Sequence, residues 1–193
     1  MGETDSKLRI IFFGETHGFV KNEAKYIEKA IKKLKPQAIL YELLEDKKLD
    51  NIEKINSFLK KSDKKKFSLI SLNSELKKII KLGKKYKLPI IGCDLKNMGR
   101  KKPIPINQRL TEKQINNEEK ILKRREKHQI KIIRKALSKY ELLFIIVGAY
   151  HLRENSPLRR ITKDSLIILP KYNEKEIFSP EGIDSRKKIY YSI

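Results

Sequence analysis

Two short segments of this chain place a histidine three positions after a glycine, each directly behind an apolar run. Gly14-Glu15-Thr16-His17 follows Leu8 to Phe13, and Gly148-Ala149-Tyr150-His151 follows Leu142 to Val147. An imidazole exchanges a proton near neutral pH, and a carboxylate beside it fixes its tautomer. His17 or His151, oriented by Glu15 or Glu42, is therefore equipped to take a proton from water. The same groups suit a metal centre, because His17, His151 and Glu42 supply nitrogen and oxygen ligands and leave a position open for water. Neither segment has the GxGxxG or GxxxxGK[ST] spacing of a phosphate loop, so a nucleotide is not expected.

These groups need strands to carry them. Apolar runs recur at Leu8 to Phe13, Ala38 to Tyr41, Phe67 to Leu72, Leu88 to Cys93, Leu142 to Val147 and Ser165 to Leu169. They alternate with helical stripes: Ala24, Ile27, Ile31 and Leu34; Leu49, Ile52, Ile55 and Leu59; Leu76, Ile79, Ile80 and Tyr86. Runs that do not alternate with polar residues predict strands buried on both faces, hence a mostly parallel central sheet flanked by helices. The expected architecture is one α/β domain over residues 1–193. The tail, with Ile177-Phe178 and Ile189 to Ile193, is expected to add short antiparallel strands at a sheet edge.

In an open parallel sheet, ligands bind outside the carboxyl ends of the strands. Glu15, His17, Glu42, Asp94 and His151 all follow apolar runs and would gather at that edge. Asp94, within CDLKN, reads first as a helix cap or turn former and otherwise as a substrate-binding carboxylate. Glu45 and Asp46 read as the acidic start of a helix. The stretch Thr111 to Tyr140 predicts one long helix, with Ile121, Arg125, Ile132 and Ala136 on one face and His128 at its edge. Arg125 either extends along that face to water or pairs with a carboxylate at the site, since a buried unpaired charge costs several kcal/mol. His128 reads as structural or exposed.

The formal net charge is +22. Its lysine pairs are scattered over the polar sides of successive helices, which predicts a solvated basic surface with weak attraction to polyanions and no specific nucleic acid. No apolar stretch is long enough to span a membrane, and the beginning lacks the order of a secretory signal, so the expected location is the cytoplasm. The single cysteine, Cys93, cannot form an internal disulfide and reads as a buried structural thiol. A homo-oligomer is compatible with the sequence.

Taken in order, Gly14-Glu15-Thr16-His17-Gly18, KPQAILYE ending in Glu42, LPIIGCD ending in Asp94, RREKH containing Arg125, and VGAYH ending in His151 resemble a known superfamily. It joins TraB/PrgY proteins, Tiki proteases, ChaN-like haem-uptake proteins and erythromycin esterases. The resemblance runs from Leu8 to Leu152, and the first motif is most similar to the esterase and ChaN branches. It implies a site of Glu15, His17, Glu42 and His151, with Arg125 at the relatives' arginine and His128 where many relatives carry methionine. Members divide between metal-dependent peptide cleavage, metal-free ester hydrolysis and haem binding.

The leading expectation is a hydrolase acting on a small-molecule or peptide substrate. Catalysis would fall to Glu15, His17, Glu42, Arg125 and His151, and substrate binding to Asp94 and Arg125. A divalent ion such as zinc, manganese or cobalt would sit on His17, Glu42 and His151. The alternative is a protein that binds haem or another anionic ligand without turnover, with Tyr150 or a histidine as an axial contact. A basic nucleic-acid-associated protein is the third reading.

Overall fold

The computed structural model describes residues 8–16, 23–64, 70–100, 112–153, 155–161, 165–172, 175–176 and 187–192. Eight strands form one sheet: β1 (Ile10–Glu15), β2 (Ala38–Tyr41), β3 (Lys48–Leu49), β4 (Ile90–Gly92), β5 (Leu143–Gly148), β6 (Ser165–Tyr172), β7 (Lys175–Glu176) and β8 (Lys187–Ser192). Four helices accompany them: α1 (Glu23–Leu34), α2 (Ile52–Lys64), α3 (Ile70–Lys85) and α4 (Glu112–Leu137). The strand order is β3-β4-β2-β5-β1-β6-β7, with β8 paired to β6. Six strands run parallel, and the two-residue strands β3 and β7 run antiparallel to β4 and β6.

Every residue of β1, β2 and β5 is buried, because helices cover both faces of the sheet. On one face Ile11, Phe13, Ile39, Tyr41, Phe144 and Ile146 pack with Ile27 and Ile31 of α1, Ile55 of α2, and Ile79 and Ile80 of α3. On the other, Ile10, Phe12, Leu40, Ile145 and Val147 pack with Ile133 and Ala136 of α4 and with Leu152 and Leu158. Alternate residues of a strand face opposite ways, so β1, β2 and β5 each feed both cores.

Three expectations need correction. Leu49, expected in the second helical stripe, lies in β3, and α2 begins at Ile52. Residues 70–72 of the expected strand Phe67 to Leu72 lie in α3, and residues 67–69 fall outside the described residues. Leu72, Leu76, Ile79 and Ile80 share helical spacing, and Asn73-Ser74-Glu75 contains neither glycine nor proline to interrupt it. At the tail, β8 is parallel to β6, not antiparallel, and Ile177-Phe178 falls outside the described residues. Among the described residues, no helix is long and apolar enough to cross a membrane.

Candidate functional site

The two Gly-x-x-His segments leave neighbouring strands. β1 and β5 pair in register, Gly14 opposite Val147 and Glu15 opposite Gly148. A Cβ on Gly14 would sit 3.2 Å from both Cα and Cβ of Ala149, so the first motif's glycine lets the second motif's turn pack against it. From β5 the chain enters a one-turn 3₁₀ helix, Ala149–Leu152, which buries His151. The fully buried Arg159 steadies that turn by donating to the Leu152 carbonyl at 3.3 Å.

A second 3₁₀ turn, Glu42–Leu44, follows β2 and ends at Glu45, whose φ of 54° reverses the chain. Glu45 is not a helix start; Glu45 and Asp46 form the turn that leads to β3. The Glu45 carbonyl accepts from the Asp94 amide at 3.2 Å, and its Oε1 accepts from the Asn97 amide at 2.8 Å. A Cβ on Gly92 would lie 2.0 Å from the Glu45 carbonyl oxygen. Only glycine fits there, and that close approach is what sets Glu42 and Asp94 side by side.

Helix α4 runs antiparallel to the parallel strands. At its middle Arg125 and Glu126 reach residues at the strands' carboxyl ends, while at its end the Leu137 carbonyl accepts from Arg9, just before β1. Arg125 grips Asp94 with two nitrogens, Nε at 2.8 Å and Nη2 at 2.5 Å from Oδ2. Its Nη2 also lies 3.8 Å from Glu42 Oε2. Burial works against the Arg125 cation, but the bonded Asp94 and the nearby Glu42 charge more than offset it and raise its pKa. Asp94 also shapes the turn after β4, since its Oδ1 accepts from the Leu95 backbone amide at 2.7 Å.

His151 stands between two buried carboxylates. Its Nε2 is 3.4 Å from Glu42 Oε2, and its Nδ1 is 3.3 Å from Glu126 Oε1. Arg153 completes the chain, with Nη1 at 2.5 Å from Glu126 Oε1 and Nη2 at 3.3 Å from Oε2. Burial pushes the Glu126 carboxyl up, yet the hydrogen bonds from His151 and Arg153 outweigh it and hold the group below its usual range. The Arg153 guanidinium stacks 4.8 Å from the centre of the half-exposed Tyr150 ring.

Glu126 was missed by the sequence reading. The expected stripe used Ile132, whereas among the described residues of α4 the buried ones are Ile121, Glu126, Gln129, Ile133 and Ala136. Counting back from Ile133 and Ala136 in steps of three and four lands on Gln129 and Glu126, a signal present in the sequence. His128 is half-buried at the helix side. Cys93 is fully buried, and burial, with the charges of Glu42 and Asp94, pushes its thiol pKa well up.

Glu15 is the last residue of β1. It shares the face of Ile11 and Phe13, opposite α4, and its Oε1 accepts from the Tyr41 hydroxyl at 2.9 Å. His17 falls outside the described residues. On either side of residues 17–22 the chain is tied together, because the amide and hydroxyl of Thr16 donate to Glu23 Oε1 at 2.9 and 3.0 Å.

Of the three expected metal ligands, Glu42 and His151 are adjacent. Two ligands roughly 2.0 Å from one tetrahedral ion sit roughly 3.3 Å apart, close to the observed 3.4 Å between Oε2 and Nε2. The described residues contain no group of three metal-ligating side chains, so the fit extends to these two donors.

No family model and no curated protein matches this sequence. Among solved structures, the type III effector HopBA1 is similar to it, at 15% identity over 95% of this chain and 87% of that one, with a TM-score of 0.61. At that identity the likeness shows a shared α/β fold.

Proposed function

We propose that this chain is a hydrolase in which His151 activates a water molecule for attack on an ester or peptide carbonyl. The observation that carries the reading is the buried His151 between Glu42 and Glu126 at the carboxyl edge of a parallel sheet. With Nδ1–H donated to Glu126, the lone pair is on Nε2, which faces Glu42. A water beside Nε2 and Glu42 Oε2 would pass its proton to the ring as its oxygen bonds to the carbonyl carbon. The imidazolium so formed meets a carboxylate at each nitrogen, and Glu42, Asp94 and Glu126 against Arg125, Arg153 and that imidazolium sum to zero charge. Arg125, immobilised by Asp94, offers its cation to the oxyanion. His151 then returns the proton to the leaving group.

The motif resemblance to the Tiki, TraB and erythromycin esterase group supports this reading, and there His17 and Glu15 would share the work. A bound divalent ion would acidify the water and polarise the carbonyl, held by His151 and Glu42. The test is a screen of nitrophenyl esters and short peptides, run on chelator-treated protein with and without added zinc or manganese. Turnover should be lost in His151→Ala and His17→Ala, because alanine offers no base to take a proton from water. A silent screen, with haem raising the melting temperature in a His151-dependent way, would replace hydrolysis by the binding reading.

A further inference from the structure

Gln129 is fully buried on the sheet-facing side of α4, and among the described residues neither its Nε2 nor its Oε1 has a hydrogen-bond partner. It lies one turn beyond Glu126 and four residues before Ile133, where the polar network gives way to the apolar core. Side chains on a helix lean toward its N-terminus, so the Gln129 amide leans back toward the turn that carries Arg125 and Glu126. A buried amide with both atoms unpaired loses about 1–3 kcal/mol per group, and an apolar residue would fill this position without that loss.

We infer that Gln129 forms the floor of the proposed site and holds an uncharged polar atom that the described residues do not supply. An amide offers a donor and an acceptor together, which matches water, a hydroxyl or a carbonyl and discriminates against a bare cation or anion. The atom is either the water that His151 activates or a polar group of the substrate. This deepens the hydrolytic reading of the same site, where Gln129 is a positioning residue.

The test compares the full chain with Gln129→Met, which keeps the side-chain length and removes both polar atoms. With the ester or peptide found in the screen, kcat/KM should fall at least about tenfold while the melting temperature stays level or rises. A loss in kcat with KM unchanged identifies the water, and a rise in KM identifies the substrate group. Equal rates in the two proteins would overturn the inference. If the wild-type protein turns over nothing, the hydrolytic reading fails, and a high-resolution crystal structure still decides this one. Ordered density of a non-protein atom bonded to the Gln129 amide supports it; an amide bonded to the chain's own groups, or facing no density, overturns it.

Discussion

Replacing Glu126 by glutamine probes the link between the histidine and the protein charge around it. The carboxylate is fully buried and bonded to His151 Nδ1 and to both terminal nitrogens of Arg153. Glutamine keeps the size and one acceptor but turns an NH2 group toward a guanidinium. Charge-assisted hydrogen bonds contribute roughly 1.5–3 kcal/mol each. Arg153 is 23% exposed and regains part of its loss from water, so the expected net destabilisation is about 2–3 kcal/mol, or roughly 5–10 °C in a domain of this size. The effect also has a sign in pH. The folded state holds Glu126 below its ordinary 4.5, so its contribution is complete above that value and fades as the pH falls through the lower folded value. Thermal melts across pH should show the two proteins far apart near neutrality and converging in acid. If the screen yields a substrate, kcat should drop on the order of ten-thousandfold as the ring loses its fixed tautomer. A variant that melts with the wild type at every pH and keeps its rate would refute the argument.

Arg125→Met leaves Asp94, 1% exposed, as a buried charge without its guanidinium, and should cost about 3–5 kcal/mol in denaturant melts; a loss below about 1 kcal/mol would show that the pair is dispensable. Gly92→Ala drives a methyl to 2.0 Å from the Glu45 carbonyl and should destabilise by more than about 2 kcal/mol, with activity falling in step because Glu42 and Asp94 separate. Binding to DNA or RNA, driven by a net charge of +22, should be weak and vanish with modest salt; salt-resistant binding to one sequence would favour a nucleic-acid function.

The sheet was legible because its signal is redundant. In β1 and β5 every residue is buried, and such runs admit few alternatives to a doubly covered parallel strand. The adjacency of the two Gly-x-x-His segments followed from the same edge argument and is met in the pairing of β1 with β5. The helix face was misjudged for a physical reason. Arg125 reaches Asp94 from the margin of α4 by its long side chain, so its apolar neighbours drew the stripe one position away from Glu126 and Gln129. The role of Glu45 was not legible at all, because it depends on a positive φ and on contacts with Asp94 and Asn97, residues far along the chain.

Among the described residues, Glu15, Glu23, Glu42, Glu75, Asp94 and Glu126 are buried, in a chain with only 24 acidic residues. Each burial costs several kcal/mol before partners are counted. Glu23 and Glu75 repay it locally, bonding Thr16 across a short connection and Lys78 in the next turn of the same helix. Glu42, Asp94 and Glu126 behave differently. They come from three separate elements, converge on one histidine and two arginines, and sit above an amide with no partner of its own. Pinning α4 to the sheet does not require this, since Ile133 and Ala136 already do so with apolar surface, and well-packed apolar residues stabilise at least as well as buried ion pairs. An arrangement of this kind at one edge of the sheet, with the apolar core beneath it intact, fits the hydrolytic chemistry proposed for that edge.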